Sequence, residues 1–118
     1  MTVEEGNKLI AEFTGQKFTT DTVWVSEKLF WETGVGYHRS WDLLMPVVEN
    51  IGNTRVPSKA PYNPDLIFRI EIVNGYTRIS GTGEDMMNNS SIEGSMITAT
   101  WKCVIQFIQW YNTQTPKQ

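Results

Sequence analysis

The stretch Leu66-Ile67-Phe68-Arg69-Ile70-Glu71-Ile72-Val73-Asn74-Gly75-Tyr76-Thr77-Arg78-Ile79-Ser80 decides the fold, because it predicts a β-hairpin over residues 66–80. Asn-Gly is the preferred pair for a two-residue type I′ turn, and that turn fixes the strand register. The predicted cross-strand pairs are Val73–Tyr76, Ile72–Thr77, Glu71–Arg78 and Ile70–Ile79. The face expected in the core carries Leu66, Phe68, Ile70, Ile72 and Ile79. The opposite face carries Arg69, Glu71, Tyr76 and Arg78, with a cross-strand charge pair.

Residues 95–112 predict the longest helix of the chain. Its polar positions occupy a narrow arc, and its apolar positions span roughly 200° of the helix surface. One flat sheet rarely covers so wide an arc, so we expect a second cover besides the sheet. The second half of the arc is a candidate interface, because Trp, Phe and Met are favoured at protein contacts. The candidate interface residues are Met96, Phe107 and Trp110.

Two shorter helices are predicted nearer the N-terminus. In residues 2–14, Thr2 and Glu5 have capping-box spacing, Gly15 is a stop signal, and Gly6 costs roughly 1 kcal/mol relative to alanine. The next helix begins after Ser40, which is a favoured N-cap residue. Its predicted core face is Trp41, Leu44, Met45, Val48 and Ile51, and Pro46 predicts either a kink or a helix that begins near it.

The remaining segments complete an α+β assignment. A strand is predicted near residues 22–26, whereas residues 28–32 fit either a strand or a turn of helix. We therefore expect one domain over residues 1–118, in which three helices pack a small antiparallel sheet made of hairpin 66–80 and the strand near 22–26. The predicted order of elements is α-β-α-β-β-α.

Composition narrows the class of protein. The formal net charge is −3, so there is no basic excess to neutralise phosphates, and nucleic-acid binding is disfavoured. The single cysteine rules out an intrachain disulfide and favours a reducing, cytoplasmic location. The acidic start is not a signal peptide, and no apolar run approaches the roughly 20 residues that span a bilayer, so no membrane association is expected.

One constellation could carry chemistry: Tyr37, His38 and Asp42. If His38 and Asp42 were both helical, their spacing would put them on one face, as in an acid–base pair. The predicted helix start leaves His38 outside the helix, which favours a packed histidine and an Asp42 that complements the helix dipole. A site here would also need a second polar cluster, and the candidates are Glu84 and Asp85.

Cysteine and metal chemistry are weakly supported. Cys103 falls in the middle of a helix on the apolar arc without a nearby base, so a buried, hydrophobic role is favoured over a nucleophile. One histidine and one cysteine are a thin supply for zinc. We predict no catalytic residues, no metal site and no cofactor.

Two segments together carry a family resemblance. They are Tyr37-His38-x-Ser40-Trp41-Asp42-x-Leu44-Met45-Pro46-Val47-Val48-Glu49-x-Ile51 and Ile97-x-Ala99-x-Trp101-Lys102-x-Val104-Ile105-x-Phe107-Ile108-x-Trp110-Tyr111-Asn112, and Ile10-Ala11-Glu12-Phe13 fits with them. Over nearly its whole length the chain resembles the phage ABA sandwich domain family. The resemblance implies an α/β/α sandwich, with helices on both faces of the sheet, and a phage or prophage origin. It implies no activity, and no functional residue can be carried over from it.

The expected function is therefore binding rather than catalysis. We expect a phage or prophage accessory protein in the host cytoplasm that acts through contacts with a protein partner or with a second copy of itself. The alternative is a small enzyme or ligand binder with its site near Tyr37, His38 and Asp42.

Overall fold

The computed structural model describes residues 2–16, 26–56, 66–81 and 86–114, and these have the mixed α+β fold that the sequence predicts. The helices are α1 (Val3–Thr14), α2 (Glu27–Leu29), α3 (Trp41–Gly52), α4 (Ser90–Glu93) and α5 (Met96–Gln114), and a π-helical turn (Phe30–Gly34) continues α2. Strands β1 (Arg55–Val56) and β2 (Leu66–Ile67) form one antiparallel sheet. Strands β3 (Arg69–Val73), β4 (Tyr76–Ser80) and β5 (Met86–Asn89) form a second antiparallel sheet in the order β3-β4-β5.

The hairpin has the predicted register throughout. Its turn is not the predicted type I′, because that turn requires positive φ at both central residues and only Gly75, at φ 140°, has it. Phe68 and Ile79 are buried on the predicted core face. The predicted strand over residues 66–73 is divided, however, because the chain changes sheets at Phe68. A Cβ on Gly81 would overlap the carbonyl oxygen of Ile67, so glycine allows β4 to end directly against this crossing point.

Helix α5 forms the middle layer of the described structure. On one side it packs against β4 and β5, where Thr77 Oγ1 and Thr100 Oγ1 lie 2.8 Å apart. On its other side it packs against α1 and α3. The wide apolar arc therefore has the second cover that the sequence predicts. Thr77 points to the same sheet face as Ile70 and Ile79, so α5 packs on that face.

Helix α1 begins and ends as predicted. The Glu5 backbone N–H donates to Thr2 Oγ1 at 3.1 Å, and the Thr2 N–H donates to Glu5 Oε1 at 3.2 Å, which completes the capping box. Gly15 ends the helix in the left-handed region at φ 85°. Gly6 is buried, and a Cβ there would overlap the ring of Trp101, so this glycine lets α5 approach α1.

The ambiguous segment 28–32 is helical. Ser26 Oγ accepts a hydrogen bond from the Leu29 backbone N–H at 3.1 Å, which starts α2. The buried Trp31 in the following π-helical turn donates its indole N–H to Glu27 Oε1 at 3.1 Å. Of the strand predicted near residues 22–26, Ser26 is instead the cap of α2, and the other residues lie outside the described ranges.

Helix α3 begins after Ser40 as predicted, but the Ser40 side chain makes no capping bond. The buried face is Leu44, Val47, Val48 and Ile51. Trp41 and Met45, which the pattern assigns to the core, are 37% and 40% exposed. They lie at the edge of the apolar arc, on one side of the buried Leu44 and Val48. Pro46 stands inside the helix without ending it.

Candidate functional site

The candidate residues Tyr37 and His38 lie in a compact turn between the π-helical turn and α3. The Tyr37 N–H donates to the Val35 carbonyl at 2.7 Å, and the Arg39 N–H donates to the Gly36 carbonyl at 3.1 Å. Arg39 Nη2 also donates to the carbonyl of Thr33 at 2.8 Å, which ties the turn back to the preceding helix. We call residues 37–39 the histidine turn.

His38 faces α1 and α5. Its Nδ1 lies 3.1 Å from Asn7 Nδ2, and its ring meets Trp101 edge to face with centroids 6.1 Å apart. Asp42 instead lines a cleft on the other side of the turn. The acid–base pair of His38 and Asp42 is therefore not assembled, because the extended backbone at Ser40 separates the histidine from the helix that carries the carboxylate.

Asn7 is the polar centre of this region, and it is completely buried. Its Nδ2 donates to the carbonyl of Trp31 at 2.7 Å, and its Oδ1 accepts from the indole N–H of Trp101 at 2.9 Å. A carbonyl can only accept and an indole N–H can only donate, so these two partners fix the orientation of the amide. The second hydrogen of Nδ2 then points at His38 Nδ1.

The ionisation of His38 follows from that arrangement. Since Asn7 presents a hydrogen, His38 Nδ1 must accept it, and the neutral ring carries its proton on Nε2. Burial lowers the pKa of His38 below its usual value, and the nearby charge of Arg39 lowers this pKa further. The histidine is thus held neutral by its surroundings rather than poised beside a carboxylate.

Tyr37 and Asp42 contribute to a different feature, a groove along one side of α3. A cleft of about 250 Å³ is lined by Thr14, Tyr37, Asp42, Leu43, Pro46, Val47 and Asn50. A second cleft of about 320 Å³ is lined by Leu9, Glu12, Phe13, Asn50, Thr54, Tyr111 and Asn112. Asn50 lines both clefts, and together we call them the α3 groove.

The α3 groove is acidic and partly apolar. Glu12 and Asp42 bring carboxylates to its two clefts, and no lysine or arginine is among the described lining residues. At one end of the groove Leu43 is an exposed apolar side chain, and at the other end the ring of Tyr111 is half-buried. The groove can therefore offer both apolar contact and negative charge to a bound group.

The interface predicted on α5 is corrected at Phe107. This side chain is fully buried by its own chain, in ring contact with Phe13, Phe68, Trp110 and Tyr111. Trp110 is half-buried against the same cluster, and Met96 is also half-buried. These aromatic side chains complete the core, and the sequence could not show it because their partners come from α1 and the hairpin region.

Cys103 is buried, and its thiol donates to the carbonyl of Met86 at 3.0 Å. Burial raises the pKa of this thiol to about 12, which leaves it protonated at neutral pH. Glu84 and Asp85, the second cluster of the alternative site, lie outside the described ranges. The described residues contain no group of three or more His, Cys, Asp and Glu side chains that could hold a metal ion.

Among the described helices, none combines the length and apolar content that crossing a bilayer requires. Comparisons of the chain with protein-family models, with curated proteins and with solved structures find no match.

Proposed function

We propose that this protein is a phage- or prophage-encoded accessory protein that binds a protein partner through the α3 groove in the host cytoplasm. The resemblance of the α3 and α5 segments to the phage ABA sandwich domain family supports the origin. The groove itself supports the binding role, because it joins apolar surface with carboxylates that form no ion pair among the residues the structure describes.

The occupant that fits this groove is an extended segment with apolar side chains and at least one lysine or arginine. From residue 43 to residue 52, α3 rises roughly 14 Å, which matches about four residues of extended chain. Glu12 and Asp42 attract cationic side chains, and Leu43 and Tyr111 offer apolar contacts. A basic partner also complements the net charge of −3.

The alternative of a small enzyme near Tyr37, His38 and Asp42 has weaker support. His38 Nδ1 already accepts a hydrogen bond from Asn7, so it is not available to form an acid–base pair with Asp42. The cleft that Tyr37 and Asp42 share measures about 250 Å³, which is below the roughly 300 Å³ at which ligand pockets begin. A peptide lying in an open groove has no such lower limit.

A displayed library of random hexapeptides tests the proposal. We expect selected peptides to be enriched in lysine or arginine next to apolar residues. Their affinity should fall about tenfold in Asp42→Asn, which removes a charge contact, and in Leu43→Ser, which removes an apolar contact. The affinity for wild type should also fall as the salt concentration rises. Met87→Ser is the matched control, since Met87 is an exposed apolar residue on the sheet.

Two outcomes would overturn the groove as the binding site. One is a selection that yields only peptides whose affinity is equal in wild type, Asp42→Asn and Leu43→Ser. The other is a selection that favours acidic peptides. Sedimentation of the purified protein addresses self-association, and a dimer dissociated by Leu43→Ser would show that a second copy occupies the groove instead of a basic segment.

A further inference from the structure

The histidine turn connects the buried network around Asn7 to the wall of the α3 groove. His38 points toward α1 and α5, whereas its neighbour Tyr37 is buried and lines the groove beside Asp42. These are adjacent residues of one tight turn, so a displacement of His38 also moves Tyr37. The protonation state of a single side chain can therefore act on the shape of the groove.

Protonation of His38 conflicts with its place in the network. A proton on Nδ1 would face the N–H group of Asn7, and two donors 3.1 Å apart cannot bond. Asn7 cannot rotate its amide to accept that proton. Rotation would set its N–H against the indole N–H of Trp101 and its oxygen against the carbonyl of Trp31, which breaks two buried hydrogen bonds.

We propose that His38 is a pH-sensitive latch on the α3 groove: its neutral ring holds the histidine turn against Asn7, and protonation releases the turn together with the Tyr37 wall. The consequence for binding rests on the proposed function of the groove. The latch itself rests only on the hydrogen bonds of Asn7 and can be measured without a partner.

Among the described residues, the charged neighbour that acts on His38 is Arg39, and it favours the neutral ring. Helix α1 presents the uncharged Asn7, α5 presents the uncharged Trp101, and the π-helical turn presents the backbone carbonyl of Trp31, which Asn7 occupies. Arg39 is a cation within the same turn and opposes protonation. No described carboxylate lies within ion-pair distance of His38 to stabilise the imidazolium.

The direction of the switch follows from these contacts. Burial lowers the pKa of His38 in the closed turn below the usual 6.5. When the turn is released into water, the pKa of His38 returns toward 6.5. Above pH 6.5 both forms are neutral and the latch is closed. Between the two pKa values the open population grows by about tenfold per pH unit of acidification, because only the open turn binds the proton readily.

Nuclear magnetic resonance over pH 7.5 to 5 tests the latch. In wild type we expect the ring nitrogens of His38 to show the Nε2–H tautomer at neutral pH and a titration midpoint below 6.5. Amide exchange in residues 37–39, divided by the intrinsic exchange rate at each pH, should accelerate toward low pH by up to about tenfold per pH unit relative to the control. The control is His38→Asn, whose side-chain oxygen can accept the Asn7 hydrogen but does not titrate.

Three results would overturn the latch: an Nδ1–H tautomer, a midpoint at or above 6.5, or the same acceleration in His38→Asn. Global unfolding of wild type at pH 5.5, with His38→Asn still folded, would also overturn it, since the effect would then not be local to the turn. His38→Gln provides a second non-titrating variant if His38→Asn does not fold.

Peptide binding separates the latch from the proposed function. Peptides selected at pH 7.5 should lose affinity at pH 5.5 in wild type and keep it in His38→Asn. If no peptide binds the groove at any pH, the proposed function fails while the resonance data still decide the latch. If peptides bind equally at both pH values although the turn opens, the connection from His38 to the groove is wrong.

Discussion

Asn7 is fully buried, and both polar atoms of its side chain are hydrogen-bonded to other segments of the chain. Asn7→Ala would leave the indole N–H of Trp101 and the carbonyl of Trp31 buried without partners. We expect a loss of about 2–4 kcal/mol in the free energy of unfolding, measured by urea denaturation at pH 7.5. Asn112→Ala, at an exposed position of α5, should change it by less than about 0.5 kcal/mol. Equal effects of the two variants would contradict a structural role for Asn7.

Gly6 and Gly52 form a matched pair for testing how closely α1 and α5 approach. Alanine is the better helix former, by roughly 1 kcal/mol, so propensity alone predicts that Gly6→Ala stabilises. The Trp101 ring occupies the space that the new methyl needs, so we expect destabilisation by about 1–3 kcal/mol instead. At Gly52 the nearest atom to an added Cβ is Ile70 Cδ1 at 3.8 Å, so Gly52→Ala should be neutral or stabilising. Thermal denaturation of both variants measures the contrast, and a stabilised Gly6→Ala protein would show that the helices can separate at no cost.

At the residue scale, sequence reasoning succeeded where both partners are local. The capping box pairs Thr2 with Glu5, which are three residues apart. The partners of Asn7 are 24, 31 and 94 residues away, and no spacing rule reaches so far. The available signal was a glycine and an asparagine side by side on the face of α1 that also carries Ile10, where a polar residue needs a buried partner.

The contact between β4 and α5 contains a hydroxyl pair with a defined direction. Thr100 Oγ1 donates to the carbonyl of Met96 at 2.8 Å, so its oxygen must accept the hydrogen of Thr77. Thr77→Val therefore removes a donor and should cost about 1 kcal/mol, whereas Thr100→Val leaves the buried Thr77 hydroxyl without its acceptor and should cost about 2–3 kcal/mol. Chemical denaturation of both single variants and the double variant measures this, and the double variant should cost less than the sum. A more costly Thr77→Val would reverse the assigned direction.

Secondary-structure elements were predictable from the sequence where the residues of a turn specified them. They were ambiguous where packing against distant parts of the chain specified them. Asn74-Gly75 fixed the hairpin register, which the structure confirms. Trp41 and Met45 fit the helical period of α3, but periodicity cannot show how wide an arc of the helix its packing partners cover. Residues 28–32 carried strand-forming side chains, yet the cap at Ser26 and the bond between Trp31 and Glu27 favour a helix.

Acid should weaken the whole molecule before its carboxylates titrate. The pKa of His38 is lowered on folding, so the native state favours the neutral ring and the unfolded chain binds the proton more readily. The free energy of unfolding that the neutral His38 contributes is fully present above pH 6.5, and it is lost as the pH falls through the lowered pKa of His38 in the folded state. In wild type the urea midpoint should therefore be lower at pH 5.5 than at pH 8. In His38→Asn the two midpoints should be equal, because His38 is the only histidine in the chain. A parallel decline in both proteins would assign the effect to other groups.

The single thiol can report on unfolding of the whole molecule. Cys103 is buried in the middle layer, and burial raises its pKa to about 12, so little reactive thiolate exists in the folded state. We expect a disulfide reagent such as dithionitrobenzoate to react at pH 8 at least about a hundredfold faster in denaturing urea than in buffer. Fast reaction in buffer would mean that the sheet and α5 separate readily.

The bond between Asn7 and Trp101 spans 94 residues of sequence, and it has a consequence for synthesis on the ribosome. The nascent α1 emerges early but must wait for α5 before Asn7 and Gly6 acquire their partner. During that interval α1 presents an apolar face with an unpaired amide to solvent, whereas the hairpin can already pair with itself. Chaperones that bind nascent chains would accordingly meet this protein at α1, and they would be displaced when α5 arrives.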